Sequence, residues 1–290
     1  MLPLRKVVLP VDFSERSVGA ARYVEAIAAH CDCDVTLLHV LPPPHYEFSA
    51  LEVGSAVLNE LFAARAKQVR KDLDAFLEEE LSGFRVERVL LEGDPARKIV
   101  EYAHQQQCGL TVMPTHGYGP FRRFILGSVT AKVLHDADCP IMTGVHLEQA
   151  PRREPVTIHT IVVALDLGPQ SKAVLEWAAQ FAARFEAELL VAYVIPCLEA
   201  QPGEYFDRDW REHVELQSRE RIDALLSEAG VSGKVLMESG DPPQVICSMA
   251  QRAKADLVII GRGSAAGRFG RLRANAYSII RQSPCPVVSV

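Results

Sequence analysis

No apolar run in these 290 residues approaches the roughly 18 needed to cross a bilayer as a helix. The start, MLPLRKVVLPVDF, carries two basic residues, but its apolar run is broken by Pro10 and stops at Asp12, too short for the core of a secretion signal. Membrane binding and export are not expected; a cytoplasmic location is. Positive charge is not in excess either. The 31 Lys and Arg against 37 Asp and Glu give a net charge of −6, not the basic footprint of a general nucleic-acid binder. Seven cysteines offer no zinc spacing: Cys31 and Cys33 are separated by one residue and no matching pair follows. Thiols in a reducing compartment are the expectation. The phosphate-loop pattern G-x-x-x-x-G-K-[ST] is missing, since the only Gly-Lys, Gly233-Lys234, is followed by Val235. No Ser, His and Asp form a recognisable catalytic set. His104 and His135 lie on helical patterns without a carboxylate or cysteine partner at metal spacing, so no metal is expected there.

What the chain does have is internal repetition. KVVLPVDFSERS returns as TIVVALDLGPQS, VTLLHVLP as LLVAYVIP, and EGDPARKIVEYAHQQQCGLTVMPTHG as SGDPPQVICSMAQRAKADLVIIGRGS. Asp12 and Asp166 are 154 positions apart, Asp94 and Asp241 147, so a mid-domain loop is a few residues shorter in the second copy. The polar, proline-containing segment 146–157 reads as the linker. Two domains are expected, 1–147 and 158–290.

Each copy alternates short β-branched runs (6–11, 34–40, 85–91, 109–113 and 140–145 in the first) with longer helical patterns. Ser14 is placed to cap the first helix, residues 55–81 carry the longest helical pattern, and Asp94-Pro95 has the cap-then-proline order of a helix start. The strands are continuous apolar runs, as in sheets covered on both faces. The class is therefore α/β: two repeated doubly wound domains, each a five-stranded parallel sheet with helices on both faces. Ligands of such sheets bind at the carboxyl ends of strands where the order switches.

The stretch MPTHGYGPFRRFILGS, residues 113–128, follows the fourth strand of the first copy and leads into a new helix. Gly117 and Gly127 let backbone approach an anion closely, and Ser128 offers an N–H and a hydroxyl at the positive end of the helix. Arg122 and Arg123 add positive charge. Pro114 has no N–H to give. If a positive φ is needed at its position the loop must differ; if only close approach is needed, proline is tolerated, at the loss of one hydrogen bond worth roughly 1.5–3 kcal/mol.

These motifs resemble the universal stress protein family, once per half and over nearly the whole chain. The family's nucleotide-binding members carry G-x-x-G, nine residues and then G-S or G-T. Here Pro114-Thr115-His116-Gly117, nine residues and Gly127-Ser128 depart from it only at the first glycine. The resemblance implies the strand order 3-2-1-4-5, ATP carried with Mg²⁺ as ligand, contact of Asp12 with the adenosine, and backbone near Val40 beside the base. The nucleotide-binding residues it implies are Pro10, Val11, Asp12, Val40, Pro114, His116, Gly117, Gly127, Ser128 and Val129. It also implies pairing through final strands, here a pseudo-dimer of the two domains with Ile141 and Val287 near the shared surface, with a homodimer through another face.

The second copy keeps Asp166 and Gly261, but Ser264 stands where Gly117 does and Ala274-Asn275 replaces Gly127-Ser128. Alanine forced into the left-handed region costs about 1–2 kcal/mol, and the second loop is read as degenerate. Its Arg262, Arg268, Arg271 and Arg273 fit a solvated basic loop, an anion site or a contact surface. The function expected is stress-response regulation through ATP in the first domain, with at most slow hydrolysis. A nucleotide-free scaffold is the alternative. An adenylating enzyme would need a Ser- and Gly-rich loop after the first strand, where VDFSERS has no glycine pair.

Overall fold

The computed structural model describes residues 4–43, 55–115, 126–149, 155–195, 208–262 and 274–290. The chain divides into two compact units, Pro3–Val156 and Thr157–Val290. In the first, β1 (Lys6–Pro10), α1 (Glu15–Cys31), β2 (Asp34–Leu41), α2 (Ser55–Ala75), β3 (Val86–Glu92), α3 (Pro95–Gln105), β4 (Leu110–Val112), α4 (Ser128–Asp136) and β5 (Ile141–Thr143) follow in order. The strands are parallel in the order β3-β2-β1-β4-β5, as the resemblance implies, so the order switches between β1 and β4. The second unit repeats the plan with β6 (Thr160–Leu165), α5 (Ser171–Phe185), β7 (Glu188–Ile195), α6 (Arg208–Ala229), β8 (Lys234–Ser239), α7 (Pro242–Arg252), β9 (Leu257–Ile260), α8 (Ala274–Gln282) and β10 (Val287–Ser289). Its strand order is β8-β7-β6-β9-β10. The registers match as well: Val7 pairs with Leu110 and Ile161 with Leu257.

The central strands are buried on both faces: Val7, Val8, Leu9, Leu37, Leu110 and Val112 are fully covered. The strands β3 and β8 are only partly covered and carry charged residues, such as Glu87 and Arg88 in β3. Arg88 also explains where α2 stops. Its guanidinium donates to the carbonyls of Leu73 (3.0 Å) and Phe76 (3.2 Å), groups that a continuing helix would use itself. Leu77 turns left-handed (φ 56°) and residues 76–83 run on as turns, so the helix expected to 81 ends at Ala75. At the start of the expected linker, Val145–Gln149 form a 3-10 helix packed on α1, anchored by fully buried Leu147.

Asp94 and Asp241 are helix caps, as their Asp-Pro sequences indicate. Asp94 accepts from Arg97 N–H (2.9 Å) and Asp241 from Gln244 N–H (3.4 Å). That backbone bond first, then Lys132 at 3.2 Å, holds the Asp94 carboxyl below its ordinary 3.8. A depressed folded-state value means the carboxylate stabilises the domain above pH 3.8 and loses that effect as pH falls through the lower folded value. Asp94→Ala is expected to cost about 1 kcal/mol at pH 7 and less at pH 3, measured by thermal melting at both.

Candidate functional site

At the carboxyl end of β1 the chain turns through Phe13 in the left-handed region (φ 63°), a conformation uncommon outside glycine and frequent at ligand sites. Asp12 fixes the turn. Its Oδ1 accepts from Ser14 N–H (3.1 Å), Ser14 Oγ–H (2.6 Å) and Ser17 Oγ–H (2.9 Å). The carboxylate is thus oriented before any ligand arrives. Ser14 is the residue before α1, but its hydroxyl does not cap the helix as expected; it donates instead to the nearer carboxylate of Asp12. The Phe13 ring packs on His39 (centroids 4.6 Å) and edge-on to Phe76 (5.3 Å), which offsets the backbone strain.

His39, near the end of β2, lies with Nδ1 2.7 Å from the Val11 carbonyl. A carbonyl only accepts, so Nδ1 carries the hydrogen and Nε2 of the neutral ring is an acceptor. Burial pushes the imidazole below its ordinary 6.5, reinforced by Arg65 and opposed by Val11 and Asp12. The ring is neutral at pH 7.

The third wall is the start of α4. Gly127 N–H closes the loop on Thr115 O (2.8 Å), Ala131 N–H takes Gly127 O (2.8 Å), and buried Thr130 ties its hydroxyl to Pro114 O (3.0 Å). No side chain caps α4, so its first-turn N–H groups face the space before it. Gly127 has φ −60° and ψ 149°, ordinary extended backbone. Its value is therefore the absence of a side chain, not a glycine-only conformation.

Together these walls enclose a cavity of about 610 Å³. Eight of the ten expected residues line it: Pro10, Val11, Asp12, Val40, Pro114, Gly127, Ser128 and Val129. His116 and Gly117, like Arg122 and Arg123, lie outside the described residues. The cavity also takes in Arg16, His39 and Arg65, which the sequence reading missed. Two had a signal. Arg16 puts a cation in the first turn of α1, where the helix dipole disfavours it, and His39 interrupts an apolar strand at its carboxyl end.

Pro114 fits its place for a reason visible in the repeat. Its counterpart Gly261 does not use a positive φ, so the position accepts proline. A Cβ at Gly261 would meet Val174 Cγ2 at 3.3 Å. In the first domain the position of Val174 is taken by the smaller Ala20. Glycine stands against valine in the second copy, and the repeat sets proline and alanine at the equivalent positions of the first.

The second domain repeats the aspartate turn: Leu167 is left-handed (φ 53°), and Asp166 Oδ1 accepts from Gly168 N–H (2.8 Å) and Ser171 Oγ–H (3.0 Å). Ala274 begins α8 without a positive φ, so the strain expected there does not arise. A cavity of about 360 Å³ opens beside Asp166. Ser264, Arg268, Arg271 and Arg273 lie outside the described residues, and Arg262 is buried.

Elsewhere, His104 and His135 do have carboxylate neighbours, Asp138 (3.1 Å) and Asp136 (2.6 Å), both at the surface. Among the described residues no three acidic, histidine or cysteine side chains converge to hold a metal. None of the six described cysteines is in a disulfide, and burial pushes the thiols of Cys33, Cys108 and Cys285 up to about 12, so they are poor nucleophiles. No described helix is long and apolar enough to cross a membrane.

The universal stress protein family model matches twice, over residues 3–143 and 157–290. The chain belongs to the universal stress protein family. One domain's length is 31% identical over 138 residues to a universal stress protein of Methanocaldococcus jannaschii, covering 48% of this chain and 80% of that protein. A universal stress protein of Mycolicibacterium smegmatis matches end to end, at 25% identity over 98% of this chain and 96% of its own. In structure the chain is similar to a universal stress protein from Archaeoglobus fulgidus, with a TM-score of 0.71, 22% identity and coverage of 99% and 98%. That likeness speaks for the fold. This universal stress protein is therefore a tandem one, with two family domains in a single chain.

Proposed function

We propose that the first domain (1–147) binds ATP and that occupancy sets the protein's conformation or its contact with a partner in the stress response. The observation that carries this reading is the single cavity shared by Asp12, Val40, Gly127 and Ser128. Its parts suit the parts of the nucleotide. Asp12, held by Ser14 and Ser17, accepts from the adenosine; the backbone around Val40 lies beside the base. The uncapped N-terminus of α4 and the cations of Arg16 and Arg65 suit the phosphates. Mg²⁺ would arrive on the phosphate oxygens. The domain is read as a binding switch with at most slow hydrolysis.

Asp12→Ala is expected to weaken ATP binding about tenfold or more, the effect of losing a hydrogen bond to a charged group. Titration calorimetry checks it; unchanged affinity would move the site elsewhere.

The pairing of the two domains through their last strands, and a cytoplasmic location, belong to the same reading. An open strand edge presents backbone groups that another edge can satisfy, and tandem fusion raises the local concentration of one domain around the other. Because β10 also pairs with β9, deleting 286–290 must harm the second domain; the informative readout is the first. If the domains pair, the ATP-sensitive melting of the first domain falls in that deletion. Melting at the parent's temperature would mean the domains are independent.

A further inference from the structure

His39 is a titratable side chain on the wall of the first cavity, and the ATP reading gives it no task. It stands near the carboxyl end of β2, half-buried, with its ring against Phe13 and Nδ1 2.7 Å from the Val11 carbonyl. Nδ1 already carries a hydrogen, so a proton from solvent goes to Nε2 without breaking that bond or turning the ring. The neighbours set the balance between the two forms. Asp12, in the turn after β1, favours the charged ring, while Arg65 of α2 opposes it and Arg16 of α1 lines the same cavity. From β3, Leu90 pairs with His39 between Val89 and Leu91, and α3 turns Pro95 and Ile99 to the cavity, all of them apolar. Burial above all, then Arg65, keeps the empty site's ring below its ordinary 6.5. With ATP bound the balance shifts. Its phosphates bring several negative charges into the cavity, and opposite charge nearby favours an imidazolium.

We propose that His39 couples ATP binding in the first domain to proton uptake, so that the nucleotide is held more tightly as pH falls. The inference rests on the ATP reading and adds a regulation to it. The ring of the empty site titrates below 6.5, and the ring beside ATP titrates higher than that of the empty site. Affinity therefore rises as pH falls through the value of the occupied site and levels off below that of the empty one. The coupling belongs to the first domain alone, because the repeat carries Tyr193 at the equivalent position.

Two variants test it. His39→Tyr introduces the ring that the repeat accepts there, and His39→Asn keeps an amide that can donate to the Val11 carbonyl. Neither side chain titrates near neutral pH. Calorimetry of the full-length protein with ATP and Mg²⁺ at pH 6.5, in buffers of different ionisation enthalpy, reads the protons taken up. ATP titrates as well, so the quantity that counts is the difference between parent and variant. The parent is expected to take up about half a proton more per ATP than either variant. Its affinity should also gain about three- to tenfold more than theirs between pH 7.5 and pH 5.5. Equal uptake with ATP bound would overturn the coupling and leave the ATP reading standing; no binding at any pH would overturn both. Melting curves check that the variants fold, and the parent alone gives a second readout. By NMR the His39 ring signals should titrate at higher pH with ATP than without, and an unmoved midpoint would overturn the proposal.

Discussion

Gly127→Val should remove ATP binding from this protein while leaving its melting temperature close to the parent's. The residue sits in extended backbone that valine adopts readily, so the fold has no reason to object. Its neighbourhood does. Gly127 N–H is already spent on Thr115, and Gly127, Ser128 and Val129 line the cavity at the uncapped start of α4. A branched side chain there keeps phosphate oxygens away from donors whose charge-assisted bonds are each worth roughly 1.5–3 kcal/mol. Losing two of them is at least about a hundredfold in affinity. Calorimetry on Gly127→Val and Gly127→Ala separates the effect of bulk from that of backbone freedom. Parent-like binding by the valine variant would show that nothing approaches Gly127 closely.

The second large effect concerns Pro114 and its neighbour from α1. Ala20→Val should destabilise the first domain by about 1–3 kcal/mol, the usual cost of forcing a branched side chain into a packed site. Ala20 is fully buried, and its repeat equivalent Val174 already stands 3.3 Å from where a Cβ of Gly261 would be. A valine at position 20 would bring the same crowding to a position that holds proline. Pro114→Gly in the same chain should restore most of the loss, because it recreates the second domain's pair. Denaturant melts of the parent, both single variants and the double variant give the coupling directly. Additive single effects would mean the two positions do not touch. Pro114→Gly alone should tighten ATP binding if a missing N–H matters there.

The two domains were legible because their motifs recur in the same order and nearly the same spacing, whereas the strand order came from the family resemblance and the turn built on Asp12 was not foreseen. Asp12, Gly127 and Ser128 could be named from sequence because they sit at strand and helix ends that the pattern locates. Arg65 could not, since only the packing of α2 on β2 and β3 brings it to the cavity beside Asp12. Glycine itself was ambiguous. The letter does not say whether φ or space is at issue, and reading Gly127 as a special conformation led to a strain at Ala274 that the backbone does not have. Ser14 shows the same limit: cap position was right, but its hydroxyl had a better acceptor two residues back.

The most direct test of the central claim is a calorimetric titration of the full-length protein with ATP in the presence of Mg²⁺. The account predicts about one site per chain, lost in Gly127→Val and weakened in Asp12→Ala, with Asp166→Asn leaving it unchanged. Two equivalent sites, or none, would contradict it.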